Sequence, residues 1–575
     1  MCFLSLSSSE GAWSATPYQI AGEGQEQITS ITTFTDIRPT DWAYQALKNV
    51  VETYGCIAGY SDATFRGGKP ITRYEAAALV NACLDRVTEV TDELKRLAGE
   101  FQQEMAILKG RTDGLEAKIG ELAATNFSTT TRLNGFTTFY LNGVAGTERA
   151  QSSARYNVFP DPPPTPGTPL PPPGPSTKDR IDAALGAANL AQGISFQYSQ
   201  ILSFSTSFKG GDMLAVDLYT SNLDPISASL FSATANNTGT YLTRLSFDAP
   251  PYDNKVTVGD LSYKFQPINK LNITLQAVSK DISGEFLNSN LPFIAAYPYT
   301  QAISRFGRLD PIYYPYLGRK GFSADYQISD NFTVGLGYFG GLSNEPLFGG
   351  TYLNSTSGQA TVASQAMIAQ LSFWPTPKDK TLGFTLTYGK LSLPKGSIFG
   401  ITSATGTAYA DQPFGSVAFL NPKTGNVGLL NNTGTNANTA GLGFGWHVGG
   451  NLYFTADASY IQATATTNGQ IPQFGVRAGD RAGVFQWNAA LALNDLGGTG
   501  NVATLLVGNP YRVVSHDSEG FSTQRTAPWH VELSYTYRVT DNISIVPGFY
   551  YVFNPEAVSS NAPIGVFSLK SFIFF

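Results

Sequence analysis

The stretch LSYTYRVTDNISIVPGFYYVFN, residues 533–554, decides how the rest of the chain is read. With the two residues before it, Val531, Leu533, Tyr535, Tyr537 and Val539 form one apolar series, and Glu532, Ser534, Thr536 and Arg538 alternate with them. After Thr540-Asp541-Asn542 a second series follows, through Ile543, Ile545, Phe549, Tyr551 and Phe553. A period of two interrupted by a short polar turn predicts a β-hairpin. Its apolar face must touch either a protein core or lipid.

Composition narrows the choice. The chain has 575 residues, 42% of them hydrophobic but only 14% charged, with 58 Gly, 29 Tyr and 37 Phe. Soluble domains carry about 25% charged residues. A formal net charge of −6 argues against a nucleic-acid partner. No run of about 18 apolar residues marks a transmembrane helix, but membrane barrel strands leave almost no hydropathy signal. A soluble β-sandwich and a membrane barrel both remain open at this point.

Turn placement separates them. Short turns centre on Lys209-Gly210-Gly211-Asp212, Ile268-Asn269-Lys270, Ser329-Asp330-Asn331, Lys378-Asp379-Lys380, Gly449-Gly450-Asn451, Gly497-Gly498-Thr499-Gly500 and Thr540-Asp541-Asn542. Adding a first strand over 127–141 and a last over 564–575 predicts a transmembrane antiparallel β-barrel of about 16 strands in residues 126–575. The segments between the short turns are long and rich in Gly, Asn, Ser and Pro. A sandwich has no reason to sort its loops by length onto two ends. The apolar face is therefore expected to meet outer-membrane lipid, with Glu532, Ser534, Thr536 and Arg538 facing a wet lumen. The proline-rich segment 160–175 falls in an external loop.

Two different regimes precede the barrel. Residues 31–86 read as a small helical domain, in which Thr72 and Glu75 form a capping box at the start of ITRYEAAALVNACLDRV. Val87, Leu94, Phe101, Leu108, Leu115 and Leu122 then recur every seventh residue, with Val90 and Leu97 as further seam positions, which predicts a coiled coil over 87–125. A single amphipathic helix is the alternative. Residues 1–30 read as a leader remnant or a disordered tail. Cys56 and Cys83 can pair in an oxidising periplasm or stay as two buried thiols.

The motif FTDIRPTDWAYQAL…GYSDATFRGGKPITRYEAA resembles the surface-layer-homology (SLH) domain. The resemblance implies binding of peptidoglycan-linked polysaccharide, and carries over to Asp36, Trp42 and Arg73. An aromatic face for a sugar and a guanidinium for an acidic substituent suit that role. Helix packing for Trp42 and a salt link from Arg73 to Glu75 are the plainer readings. The order of SLH domain, coiled coil, FSTTTRLNG and long β-region resembles the cyanobacterial SLH-domain outer-membrane porins. These are called iron-uptake porins and are related to carbohydrate-selective porins. NACLDRV, SRFGRLDPIYYPYLGRKGFSADYQISDN and the final hairpin also carry this resemblance. It implies an outer-membrane channel, homotrimeric, passing small hydrophilic solutes and inorganic ions including iron, with its N-terminal domain in the periplasm.

Within RFGRLDPIYYPYLGRKG (305–321), Arg305, Arg308, Asp310, Arg319 and Lys320 either line a constriction folded into the lumen or sit on a solvated rim loop. Arg477 and Arg481 are weaker candidates of the same kind. Glu532 and Arg538 are expected on the pore wall. The three histidines, His447, His516 and His530, lie far apart without a nucleophile elbow or metal-ligand spacing, so an enzyme, a metal site and a cofactor are not expected. A closed barrel acting only as a wall-to-membrane tether is the alternative function.

Overall fold

The computed structural model describes most of residues 130–575, apart from 152–155, 159–189, 191–192, 224–237, 247–253, 279–285, 287–301, 342–350, 354–359, 398 and 421–426; before residue 130 it describes only positions 48, 106, 107, 109–111 and 114, all helical. Leu6–Thr129 forms a compact unit of its own. Asp36, Trp42, Arg73, the pair Cys56 and Cys83, and the proline-rich segment 160–175 lie outside the described residues.

The period of two is realised as sixteen strands closed into one antiparallel barrel. Strand β1 (Thr131–Ala145) begins four residues later than expected. It is followed by hairpins β2 (Ile194–Thr206) and β3 (Met213–Ser221), β4 (Thr257–Ile268) and β5 (Leu271–Val278), β6 (Gly321–Gln327) and β7 (Phe332–Phe339), and β8 (Gln365–Phe373) and β9 (Leu382–Leu393). Then come β10 (Thr435–Gly449) and β11 (Leu452–Ala465), β12 (Arg481–Asn494) and β13 (Val502–His516), β14 (Trp529–Arg538) and β15 (Ile543–Phe553), and finally β16 (Ile564–Phe574). Each expected short turn joins the two strands of one hairpin. β16 returns to β1 with Tyr140 opposite Lys570 and Asn142 opposite Ser568, so the sheet has no free edge.

Local chemistry fixes the turns. In the β2–β3 turn the Asp212 carboxylate accepts from the backbone N–H groups of Phe208 and Lys209 at 2.9 and 2.8 Å and from the Tyr263 hydroxyl at 2.7 Å. Gly210 takes the positive φ of 79° that the turn requires. The bond from Lys209, then that from Tyr263, holds the Asp212 carboxyl well below the usual carboxylate range.

The alternation along β14 sorts its residues as the sequence predicts. Leu533 is 59% exposed on the outer face, whereas Glu532 between its apolar neighbours is 2% exposed. Leu336, Leu386, Leu442 and Phe549 continue the outer apolar band on other strands. Near the short turns, Phe332, Phe373, Phe384, Phe444 and Phe454 form a chain of ring contacts at 4.7, 6.3, 5.3 and 5.9 Å. Such a girdle matches the membrane–water boundary.

The inner face departs from the expectation of short polar residues facing water. Toward the long-loop ends of β7–β13 it is apolar and dry: Phe339, Ile368, Leu391, Leu393, Ile461, Val484, Tyr511 and Val513 pack with Ile312, Tyr313, Tyr316, Ile401, Tyr409 and Phe414 from inserted segments. Alternation distinguishes the two faces of a strand, but it does not tell a watery lumen from one filled by protein.

Candidate functional site

Among the described residues, three segments between strands fold against the inner wall and lace together. They are 238–246, 302–319 and 400–416. The Arg305 N–H donates to the Arg244 carbonyl at 2.8 Å, and the Ser246 N–H to the Ile303 carbonyl at 2.8 Å. A single backbone bridge pairs Leu245 with Ser304.

The entry of the second segment is held by charges on the wall. Glu532 of β14 accepts from the backbone N–H groups of Ile303 and Ser304, at 2.6 and 3.4 Å, and from the Ser304 hydroxyl. His530 Nε2 lies 3.3 Å from the same carboxylate, and Lys570 Nζ of β16 donates to the Ala302 carbonyl at 2.7 Å. Ser304 caps the short helix Arg305–Arg308 by accepting from the Gly307 N–H at 3.0 Å. A 3-10 helix, Pro311–Tyr316, follows.

Glycines on the wall make room for this segment. A Cβ at Gly508 of β13 would stand 2.8 Å from Phe306, and one at Gly441 of β10 would stand 2.6 Å from Ile312. Gly389 of β9 lies under the Tyr316 hydroxyl. The segment therefore crosses the wall from β13 to β9 in a track that no larger residue would leave open. At its far end the Tyr313 hydroxyl accepts from Gln370 Nε2 of β8.

The five candidates of 305–321 fall into different settings. Arg305 is half-buried; its guanidinium lies 4.1 Å over the Tyr314 ring, and Nη2 donates to the Ser403 carbonyl of the third segment at 3.4 Å. Arg308 is buried and donates to the Ser246 carbonyl of the first segment at 3.2 Å. Arg319 is also buried. It donates to the carbonyls of Pro315 and Gly340 at 2.8 and 3.3 Å and to the Ser364 hydroxyl at 3.1 Å, so it clamps the segment's exit. Asp310 is buried beside the 3-10 helix, and the Lys320 carbonyl, accepting from the Gly340 N–H, starts the β6 pairing.

Glu532 and Arg538, grouped together from the sequence, part company. Glu532 lies on the inner wall but is covered by the segment rather than wetted by a lumen. Arg538 lies at the β14–β15 turn, where it pairs with Asp541 at 2.8 Å. Arg477 and Arg481 are exposed near the long-loop end of β12.

The sequence reading missed the acids that organise the third segment. Asp411 accepts from the Thr402 N–H and hydroxyl and from the Ala404 N–H, at 3.0, 2.6 and 3.1 Å. Burial pushes its carboxyl above the ordinary value, and these bonds oppose the rise. Glu556 accepts from the Thr240 hydroxyl at 2.7 Å and the Ala408 N–H at 2.9 Å, joining the first segment to the third. Lys570 was legible in principle, because a lysine at an inward position of a barrel strand needs a partner. Asp217 and Asp260, register partners on β3 and β4, are two further buried inward acids. Beside the third segment a polar cavity of about 550 Å³ is lined by Tyr409, Gln524, Arg525 and their neighbours.

Inward segments in a closed barrel of sixteen strands suggest a pore-forming protein, and comparison with known families agrees. The model of the carbohydrate-selective porin, OprB family, matches residues 89–278 and 313–575. The chain belongs to the OprB family of carbohydrate-selective porins. The two matched stretches leave out 279–312, which holds Arg305, Arg308 and Asp310. The S-layer homology domain model matches residues 33–77. A protein of Synechocystis sp. is 30% identical over 580 residues, covering 96% of this chain and 92% of its own. Outer membrane protein SlpA of Deinococcus radiodurans is 33% identical over 92 residues, 16% of this chain and 8% of that one. The structure of Pseudomonas putida OprB aligns with 79% of this chain and 96% of its own, at 11% identity and a TM-score of 0.43. The protein is thus an outer-membrane porin of the OprB family with an SLH domain on the periplasmic side.

Proposed function

We propose that the barrel conducts small hydrophilic solutes and inorganic ions past a constriction formed by segments 302–319 and 400–416, while the SLH domain tethers it to peptidoglycan-linked polysaccharide. The observation that carries this reading is the anchoring of 302–319 to Glu532 and Lys570, which fixes Arg305 between two inserted segments. Among the segment's three arginines, Arg305 alone is not fully buried, so it is the one positioned to meet a passing anion. Iron would pass as a diffusing ion. A trimer joined through the heptads of 87–125 would present three SLH domains, with Asp36, Trp42 and Arg73 of each contacting the polysaccharide. The dry packing inside the long-loop half gives the closed tether some support as a second reading.

Single-channel recording of the full chain in a planar bilayer tests both. A conducting pore whose reversal potential in a salt gradient moves toward cations in Arg305→Ala supports the porin. Absence of conductance in the unmodified protein supports the tether, and an unchanged reversal potential removes Arg305 from the constriction. Pull-down by purified sacculi should fall in Trp42→Ala and Arg73→Ala with conductance intact.

A further inference from the structure

Among the described residues nine other than glycine take a positive φ, and three of them, Lys270, Lys380 and Asp495, lie in short turns. Five of the other six gather at two places in the long-loop half. Ser403 and Ala404 stand at 50° and 57°, in the turn that the Thr405 N–H closes onto the Thr402 carbonyl at 3.3 Å. Asn554, Glu556 and Ala557 stand at 47°, 59° and 58°, where the Val558 N–H donates to the Pro555 carbonyl at 3.4 Å. A turn with both central residues in the left-handed region is normally filled by Gly, Asn or Asp. Ser, Ala and Glu carry a Cβ that crowds the backbone there, so each turn stores strain that its surroundings must hold.

The same segment, 400–416, supplies the restraint at both places. Asp411 Oδ1 gathers the N–H groups of Thr402 and Ala404 around the first turn. In the second, the Glu556 carboxylate accepts from the Ala408 N–H, and the Glu556 carbonyl from Gln524 Nε2 at 3.0 Å. Gln524 Oε1 in turn accepts from the Thr407 hydroxyl at 2.9 Å. At the apex of the first turn the Ser403 carbonyl accepts from Arg305 Nη2. Beside the short helix Ala408–Asp411 lies the cavity lined by Tyr409 and Ala557, which gives that helix room to shift. We propose that 400–416 is a strap with two positions. Docked, Asp411 and Glu556 hold both turns strained, and Ser403 gives Arg305 its acceptor. Released, both turns relax and Arg305 parts from the strap. The strap's effect on permeation rests on the constriction proposed above; its movement does not.

The test measures hydrogen exchange in the full chain refolded into detergent, at the Asp411 and Gln412 amides, which donate to the Thr407 and Ala408 carbonyls. Ala404→Gly and Ala557→Gly together should slow exchange there about fivefold or more, because the docked turns no longer carry a Cβ in the left-handed region. Ala410→Gly, at an ordinary helical φ, should speed it instead. Asp411→Asn and Glu556→Gln should each speed it about tenfold by weakening the bonds that hold the turns, while strand amides of β10 and β11 keep wild-type protection. In a planar bilayer the protein with both glycines should stay about fivefold longer in its lower conductance level. Unchanged exchange in the glycine variants would overturn the strap, and altered exchange with unchanged dwell times in a conducting channel would remove it from the constriction. Altered exchange in a protein that never conducts would uphold the strap and overturn the porin reading instead.

Discussion

On the outer face of β14, Val531, Leu533 and Tyr537 meet the surroundings, and no one of them depends on a particular partner. On the inner face of the same strand, His530 and Glu532 touch residues more than two hundred positions away: the Glu532 bond to Ile303 spans 229 residues. The outer face is held by a solvent, through many small and interchangeable contributions. The inner face is held by specific donors, each of which leaves a buried charge or N–H stranded when its partner is removed. The two faces should therefore fail differently under mutation.

The largest effect is expected on the inner face. Glu532→Ala strips the carboxylate from the Ile303 and Ser304 N–H groups and from the neighbourhood of Lys570, and should cost about 3–5 kcal/mol in lipid refolding, as for a broken buried ion pair. The same variant should alter single-channel conductance by freeing segment 302–319. Wild-type stability would show that the segment is not fastened there. Next, Leu442→Arg on the outer face should cost about 2–4 kcal/mol if the midpoint of β10 lies at the bilayer centre. Leu496→Arg, equally apolar but in a short turn, should stay within about 0.5 kcal/mol. Equal costs at the two sites would place the lipid boundary wrongly.

A smaller change probes the glycine track. Gly441→Val puts methyl groups where Ile312 sits and should cost about 1–3 kcal/mol by overpacking, with the barrel itself retained. The smallest effect belongs to the β2–β3 turn. Because the folded Asp212 pKa is depressed, its stabilisation is complete above the unfolded carboxylate value of about 3.9 and fades as pH falls below it. Hydrogen-exchange protection of the Phe208 and Lys209 amides, corrected for intrinsic rates, should drop between pH 6 and pH 3. Asp212→Ala should abolish that pH dependence.

What the sequence made legible follows the same division. All the short turns and the strand count were readable, because alternation and turn chemistry are local. Arg305, Arg308 and Arg319 were readable as a basic cluster, but not their separate tasks. Arg319 is a clamp because of Gly340 and Ser364, and Arg308 because of Ser246, partners that spacing along the chain does not reveal. The apolar residues inside β15, Val546, Tyr550 and Val552, carried a signal that was passed over. A strand apolar on both faces should have pointed to a filled interior. Nothing in strand periodicity marked Asp411, whose donors Thr402 and Ala404 lie seven to nine residues before it in the same segment, or Glu556, whose partners Thr240 and Ala408 lie in two other loops. The expected coiled coil over 87–125 lies outside the described residues but for 106, 107, 109–111 and 114.

The glycine track has a consequence for the order of assembly. Gly389, Gly441 and Gly508 sit on β9, β10 and β13, so the groove they form does not exist until those strands are aligned. A segment that needs a finished wall cannot help to build it. Docking of 302–319 should therefore be a late kinetic step, slow because its contacts join distant parts of the chain. Mutations in the groove should then speed undocking while leaving the rate of strand assembly unchanged.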